Sequence, residues 1–141
     1  ATEGLREEDL QYKPSPEART TDETLNHILG LTDVVLNSVL EKPNTSGVDT
    51  ENMSFDEKRR LTLQKIKETS DILKASDPEK LDDYKIVFQR GSSSSEYPFW
   101  NQINGPIADA IWHVGQVVTF RRSSGNPITS NVSFLSGKVR K

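Results

Sequence analysis

The sequence predicts an all-α protein, a bundle of long amphipathic helices in one domain. Two segments begin with a capping box, in which a Ser or Thr and a Glu three residues later bond each other's backbone amides: Thr20 with Glu23, and Ser54 with Glu57. A third long helical pattern extends from Tyr97 to Ser123. Three such patterns in a chain of 141 residues are typical of a helical bundle.

Composition limits the function classes. The chain has enough apolar residues for one domain spanning residues 1–141, and its net charge of −3 gives no electrostatic reason to expect nucleic acid as a partner. No apolar run is long enough to cross a membrane, and the absence of cysteine excludes disulfides and thiolate metal sites. Because the chain begins at Ala1 without Met, the compartment is open: a cytoplasmic location is favoured, and export after loss of a signal segment is the alternative.

The first capping box predicts a helix from about Thr21 to Glu41, ended by Pro43. This helix has too many apolar residues for a one-sided surface helix, so we expect it at the centre of the bundle. The second box predicts a helix from about Phe55 to Ala75. Its expected buried side is Phe55, Thr62, Leu63, Ile66 and Leu73, and its expected solvent side is Lys58, Arg59, Arg60, Lys65, Lys67 and Glu68.

The remaining segments are expected to be extended or irregular. Residues 84–89 have the β-branched and aromatic content of a short strand or extended crossover, and residues 91–95 are predicted to form a flexible tip. Gly105-Pro106 interrupts the last helical pattern and is expected to start or kink a helix. We expect the tail, residues 128–141, to be extended and to pack across the bundle through Val132, Phe134, Leu135 and Val139.

The last helix has two distinct faces at 100° per residue. One sector is apolar and is expected to be buried: Ile103, Ile107, Ala110, Ile111, Val114, Val117 and Val118. A neighbouring stripe contains Asp109, His113, Gln116 and Phe120. The stripe is therefore predicted to border a cleft between helices.

The stripe suggests a metal site. Asp109 and His113 are four residues apart, so their side chains project from one face and can bind the same divalent ion, while His27 from a facing helix completes three ligands. Two imidazoles and a carboxylate suit zinc, nickel or ferrous iron and leave coordination positions for water or substrate. Gln116 is expected to contact a ligand or substrate, and Trp112 or Trp100 to line the cleft.

Plainer interpretations remain open for each of these residues. Asp109 and His113 are also explained as an ordinary ion pair, and Glu23 already has a role in its capping box. The two tryptophans are also explained as packing residues. Arg121 and Arg122 suit either a solvated helix end or an anionic substrate group.

Several segments resemble the DinB-like superfamily of metal-binding four-helix bundles: residues 12–19, Asn26-His27-Ile28, residues 113–116, Arg121-Arg122 and Gly125-Asn126-Pro127. The resemblance covers nearly the whole chain from about Leu5. It implies an up-and-down four-helix bundle with a long crossover, of which the first helix is largely missing from this chain. It also implies one ligand from the second helix and a His-x-x-x-His pair, followed by Gly-Gln, on the last.

His27 and His113 match the first and last ligand positions of that family, and Gly115-Gln116 matches the dipeptide. Asp109 stands where the family commonly has histidine. The resemblance therefore implies a divalent metal held by His27, Asp109 and His113, and an enzyme whose metal holds a low-molecular-weight thiol as thiolate.

Two functions follow. The first is a metal-dependent enzyme, a thiol-dependent transferase or a hydrolase that uses a metal-activated thiol or water on a small-molecule substrate, with Glu23 and Glu96 as the candidate bases. The second is a non-catalytic helical bundle that binds or scaffolds another protein and holds no metal. A homodimer is expected in either case, because apolar helices often cover spare surface by twofold pairing.

Overall fold

The computed structural model describes residues 1–133 and 135–140, and it confirms the helical fold class. Three long helices form the bundle: α2 (Thr21–Val39), α3 (Phe55–Ala75) and α5 (Pro106–Ser123). The other elements are short helices α1 (Glu7–Gln11) and α4 (Asn101–Asn104), a 3₁₀ helix (Pro78–Asp82), an antiparallel hairpin of β1 (Lys85–Arg90) and β2 (Ser93–Pro98), and a second of β3 (Val132–Ser133) and β4 (Lys138–Val139). Among the described helices, none is both long and apolar enough for a membrane span.

The central helix is α2, as the sequence predicts, because it packs against both α3 and α5. Its capping box is formed: Thr20 N–H donates to Glu23 Oε2 at 2.7 Å, and Glu23 N–H donates to Thr20 Oγ1 at 3.1 Å. At its other end Ser38 Oγ donates to the carbonyl of Lys85 in β1. Leu29, in the middle of α2, has no exposed surface. The helix therefore provides the surface on which the other elements are assembled.

The expected solvent side of α3 is wrong at two lysines. Lys58 is buried, and its Nζ lies 2.8 Å from Asp22 Oδ2 on α2. Lys65 forms a salt bridge with Asp33, which lies closer to the C-terminal end of α2. Sequence periodicity placed these lysines in water because it did not include their acidic partners on the neighbouring helix. Leu63 and Ile66, expected to be buried, are each half exposed.

The apolar sector of α5 is only partly buried, which corrects the expectation for its N-terminal half. Val117 is completely buried, whereas Ile111 is 67% exposed and Ile103, which lies in α4, is 68% exposed. Ile111 is exposed because it lines an apolar groove of about 570 Å³ between α3 and α5, with α2 as its floor. Ile66 and Ile111 line this groove from opposite sides.

The extended segment at residues 84–89 is confirmed as strand β1, but the predicted flexible tip is wrong. Gly91 has a positive φ of 58° in the turn, and Ser93 to Ser95 belong to β2, in register with Phe88 to Arg90. Tyr97 and Pro98 also lie in β2, so the last helical region begins only at Asn101. The missed signal was the dipeptide Gly91-Ser92, a residue pair that commonly forms the two-residue turn of a β-hairpin.

The extended segments expected in the tail are confirmed: among the described residues, Val132 and Ser133 pair with Val139 and Lys138. Leu135, which was expected to pack on the bundle, is fully exposed. Phe134 and Lys141, which the sequence also assigned to this tail, lie outside the described residues. The tail forms its own hairpin because Gly137, with a φ of 65°, allows the chain to reverse within a few residues.

A buried carboxylate ties the N-terminal segment to the end of α5. Asp9 is 1% exposed and accepts hydrogen bonds from Arg6, from Ser124 Oγ at 2.6 Å and from Asn126 Nδ2 at 2.6 Å. The hydrogen bond from the Arg6 guanidinium, helped by those from Ser124 and Asn126, holds the pKa of Asp9 far below its usual range. The charged form of Asp9 is therefore part of the folded structure.

Arg121 is buried rather than solvated at the helix end. Its guanidinium donates to the carbonyls of Ala1 and Glu3 at 2.8 and 2.7 Å, and its Nε donates to the carbonyl of Asn126 at 2.8 Å. These backbone oxygens accept the hydrogen bonds of the guanidinium, so Arg121 holds the N-terminal segment and is not available to bind a substrate. Arg122 alone matches the expected exposed position.

Candidate metal centre

His27 is positioned by the start of α2. The capping box fixes the first turn at Thr20 and Thr21, which places His27 two turns into the helix, on the side that faces α5. Its side chain is 34% exposed, so it borders solvent. A helix start defined by two hydrogen bonds therefore determines where this imidazole lies.

Asp109 and His113 are positioned by the start of α5. Gly105 is required immediately before the helix, because a Cβ atom there would lie 2.9 Å from the carbonyl oxygen of Asn101. Pro106 then occupies the first helical position, and Asp109 N–H donates to the carbonyl of Gly105 at 2.9 Å. Asp109 thus lies in the first turn, where the helix dipole favours a carboxylate, and His113 lies one turn further on the same face.

These three side chains meet. His27 Nε2 lies 3.2 Å from Asp109 Oδ2, and His113 Nε2 lies 3.2 Å from Asp109 Oδ1. The two imidazole rings are perpendicular, with centroids 4.7 Å apart. One ligand atom from each residue lies within 4.8 Å of the other two. We call this cluster of His27, Asp109 and His113 the triad.

The spacing of the triad fits a metal ion. With metal–ligand distances of about 2.0–2.2 Å, two ligand atoms of one tetrahedral ion lie about 3.3–3.6 Å apart. The observed nitrogen–oxygen separations of 3.2 Å are close to that value, although each involves a different oxygen of Asp109. With one ligand atom from each residue the separations extend to 4.8 Å, so the side chains would move closer together to hold one divalent ion.

Gln116 fixes the ring of His113. Its Oε1 lies 2.7 Å from His113 Nδ1, and because a carbonyl oxygen only accepts, Nδ1 carries a proton in this arrangement. Nε2 of the same ring faces Asp109. A neutral ring has a single proton, so with the amide in this orientation a cation at Nε2 would complete the network, whereas with the amide turned Nε2–H donates to Asp109 directly.

The comparisons with known proteins concern the fold. The crystal structure of YjoA, a DinB-like protein from Bacillus subtilis, superimposes with a TM-score of 0.63 over 88% of this chain and 81% of that chain, at 20% sequence identity. This chain has the DinB-like fold. No protein-family model matches the sequence, and no curated protein is detectably similar to it. At that identity the similarity establishes the fold alone, so the triad is argued from its own residues.

In this DinB-like fold a pocket of about 490 Å³ adjoins the triad. His27 and His113 form one part of its lining, together with Gln116. Its other walls are Pro14, Ala18, Arg19, Thr24, Trp112 and Phe120. A volume of this size is within the range of small-molecule sites. The larger groove between α3 and α5 is lined by no histidine and no carboxylate, so the pocket beside the triad is the candidate functional cleft.

The other residues considered from the sequence lie elsewhere. Glu23 is used by its capping box, and Glu96 is an exposed residue of β2, 3.8 Å from Lys85. Trp100 is 60% exposed and does not line the pocket, whereas Trp112 does, with its ring 4.9 Å from that of His113. Neither carboxylate is therefore placed to act as a base at the triad.

Sequence reasoning missed Arg19 as a pocket residue. Arg19 precedes the cap residue Thr20 at the end of the connector between α1 and α2, residues 12–19, which was singled out from the sequence only for its family resemblance. Two contacts hold that connector against the bundle: Thr21 N–H donates to the carbonyl of Tyr12 at 2.9 Å, and the Tyr12 ring packs on Phe120 at 5.8 Å. The sequence signal that could have identified Arg19 is its position directly before Thr20, the capping residue of the helix that carries His27.

Proposed function

We propose that this protein is a metal-dependent enzyme in which His27, Asp109 and His113 hold a divalent ion, zinc, nickel or iron. It acts on a small molecule bound in the adjoining pocket, as a thiol-dependent transferase or as a hydrolase. The observation that carries the proposal is the convergence of His27, Asp109 and His113, each of which offers one ligand atom within 4.8 Å of the other two.

The donor set supports catalysis more than a structural role. Structural zinc sites are closed by four protein ligands, whereas catalytic sites have three and keep a position for water or substrate. The triad offers three donors, and His27 and His113 line the pocket. A divalent ion bound there would supply a Lewis acid that lowers the pKa of a thiol or water at neutral pH.

The chain's own residues have separate parts in this proposal. Gln116 orients His113 so that Nε2 points to the ligand position. Asp109 contributes negative charge and a harder donor than the histidine common in DinB-like proteins, which favours zinc or iron over softer ions. Phe120 is buried, and Trp112 lies against His113, so both restrict water beside the reacting group.

The competing function is a non-catalytic binding module without metal. In that arrangement the Gln116 amide is turned so that its NH₂ group donates to His113 Nδ1, and Nε2–H donates to Asp109. The contact of Asp109 with both imidazoles favours this alternative, because it closes the network without an ion. The two functions differ in what the triad does when metal is offered.

Isothermal titration with zinc distinguishes them. We expect one ion to bind per chain, and binding to be lost in His27→Ala, Asp109→Ala and His113→Ala alike. Glu68→Ala is the matched control, because it removes an exposed carboxylate from α3, which contributes nothing to the triad. Three variants that bind zinc as the wild type does would exclude the triad as a metal centre.

A further inference from the structure

The pocket beside the triad contains one side chain of permanent charge, Arg19. Every lining residue of this pocket is described, and none of them is an aspartate or a glutamate. Asp109, which contacts both histidines, is not one of the lining residues. The cleft therefore presents a positive charge to whatever enters it.

The charge of Arg19 is not neutralised by a neighbouring side chain. Within residues 1–133 and 135–140, Arg19 takes part in no salt bridge and donates no side-chain hydrogen bond. The two acidic residues in the first turn of α2 have other partners: Asp22 pairs with Lys58, and Glu23 accepts from the backbone of Thr20. An arginine without a partner beside a cleft is available for a ligand.

The backbone of Arg19 is nevertheless held in place. Ala18 N–H donates to the carbonyl of Ser15 at 3.1 Å, and Thr20 is fixed by its capping box. The connector is thus anchored on both sides of Arg19, so the backbone of this exposed residue is held beside the pocket that it lines. A group bound by Arg19 and a group near His27 and His113 would therefore lie in the same pocket.

We propose that Arg19 determines substrate specificity by binding a carboxylate, and that the substrate is a small organic acid with an apolar body. The planar guanidinium matches a carboxylate with two parallel hydrogen bonds. A single arginine suits a monoanion, and the side chains of Pro14, Ala18 and Phe120 suit an apolar middle portion. The inference rests on the proposed function, which determines the end of the substrate that reacts.

The test compares an acid with its neutral amide. Phenylacetate and phenylacetamide are titrated into the full chain at pH 8, above the ordinary imidazole pKa of about 6.5, with zinc and again after chelation. The signal followed by NMR is the indole N–H of Trp112, which lines the pocket, and Trp100, which does not, is the internal reference. We expect wild type to bind the acid at least about ten-fold more tightly than the amide.

In Arg19→Gln the ratio of the affinity for the acid to that for the amide should fall to about one, while amide binding is unchanged. Arg19→Lys should be intermediate, because it keeps the positive charge and loses the planar guanidinium that donates two parallel hydrogen bonds. Arg60→Gln, an exposed arginine of α3, should behave as wild type. Equal binding of acid and amide, no response of Trp112 to either, or a preference that persists in Arg19→Gln would overturn the inference. The titrations after chelation contain no metal, so they test acid binding by Arg19 even if the triad binds no zinc. Zinc binding by the triad is tested separately, by the calorimetric titration above.

Discussion

The Nδ1 atom of His113 lies 2.7 Å from Oε1 of Gln116, and this contact directs Nε2 of the ring to Asp109. His113 is only 7% exposed, so water cannot easily replace either partner. A buried histidine held in this way is the arrangement commonly found around metal-ligating imidazoles, whose second nitrogen donates to a fixed acceptor. The proposed function depends on whether a cation completes the network.

Loss of Gln116 should weaken the metal site without abolishing it. We expect Gln116→Ala to lower zinc affinity by about 10–100-fold, because the ring of His113 loses the acceptor that fixes its orientation. Competition with a chelator of known affinity measures this change. Gln64→Ala, an exposed glutamine on α3, is the matched control, and equal affinities in the two variants would remove Gln116 from the site.

Asp9 should make the stability of the fold depend on acid. Its pKa is lowered in the folded state, chiefly by Arg6, so its contribution is present above the unfolded value of about 3.9 and is lost as pH falls below it. We expect Asp9→Asn to lower the free energy of unfolding by about 2–4 kcal/mol at pH 7. In urea titrations the difference from wild type should shrink between pH 4 and pH 2.

The control for Asp9 is Glu68→Gln, which changes an exposed carboxylate and should follow the wild type at every pH. A difference between Asp9→Asn and wild type that stays constant down to pH 2 would show that lost hydrogen-bond geometry, and not ionisation, accounts for the destabilisation.

Two apolar residues of α5 should differ in their contribution to stability. Val117→Ala removes fully buried methyl groups and should cost about 2 kcal/mol, whereas Ile111→Ala, at a side chain 67% exposed in the groove, should cost less than about 0.5 kcal/mol. Urea unfolding of the two variants measures both values. A large cost at Ile111 would mean that the groove is covered in solution, as pairing of two chains would cover it.

Local sequence rules predicted the elements that position the site. The pairs Thr20–Glu23 and Ser54–Glu57 located two helix starts to the residue, and spacing by four brought Asp109 and His113 together. Each of these features depends on residues within one helical turn. The approach of His27 from a separate helix was expected from the chemistry of the donors, and the structure brings it to Asp109.

The features that were not predicted depend on residues distant in sequence. Lys58 is buried because Asp22 lies on the neighbouring helix, and Arg121 is buried because the carbonyls of Ala1 and Glu3 surround its guanidinium. Arg19 reaches the pocket only because the connector folds back against Phe120. Periodicity along one segment contains no information about such partners.

The most direct test of the metal centre is the metal content of the untagged protein as purified, measured by elemental analysis beside His113→Ala. The account predicts close to one zinc, nickel or iron ion per chain in the wild type and almost none in the variant. Wild-type protein free of metal, and still free of it after divalent ions are added and excess is removed, would contradict the account. The triad would then be a hydrogen-bonded cluster in a non-catalytic bundle.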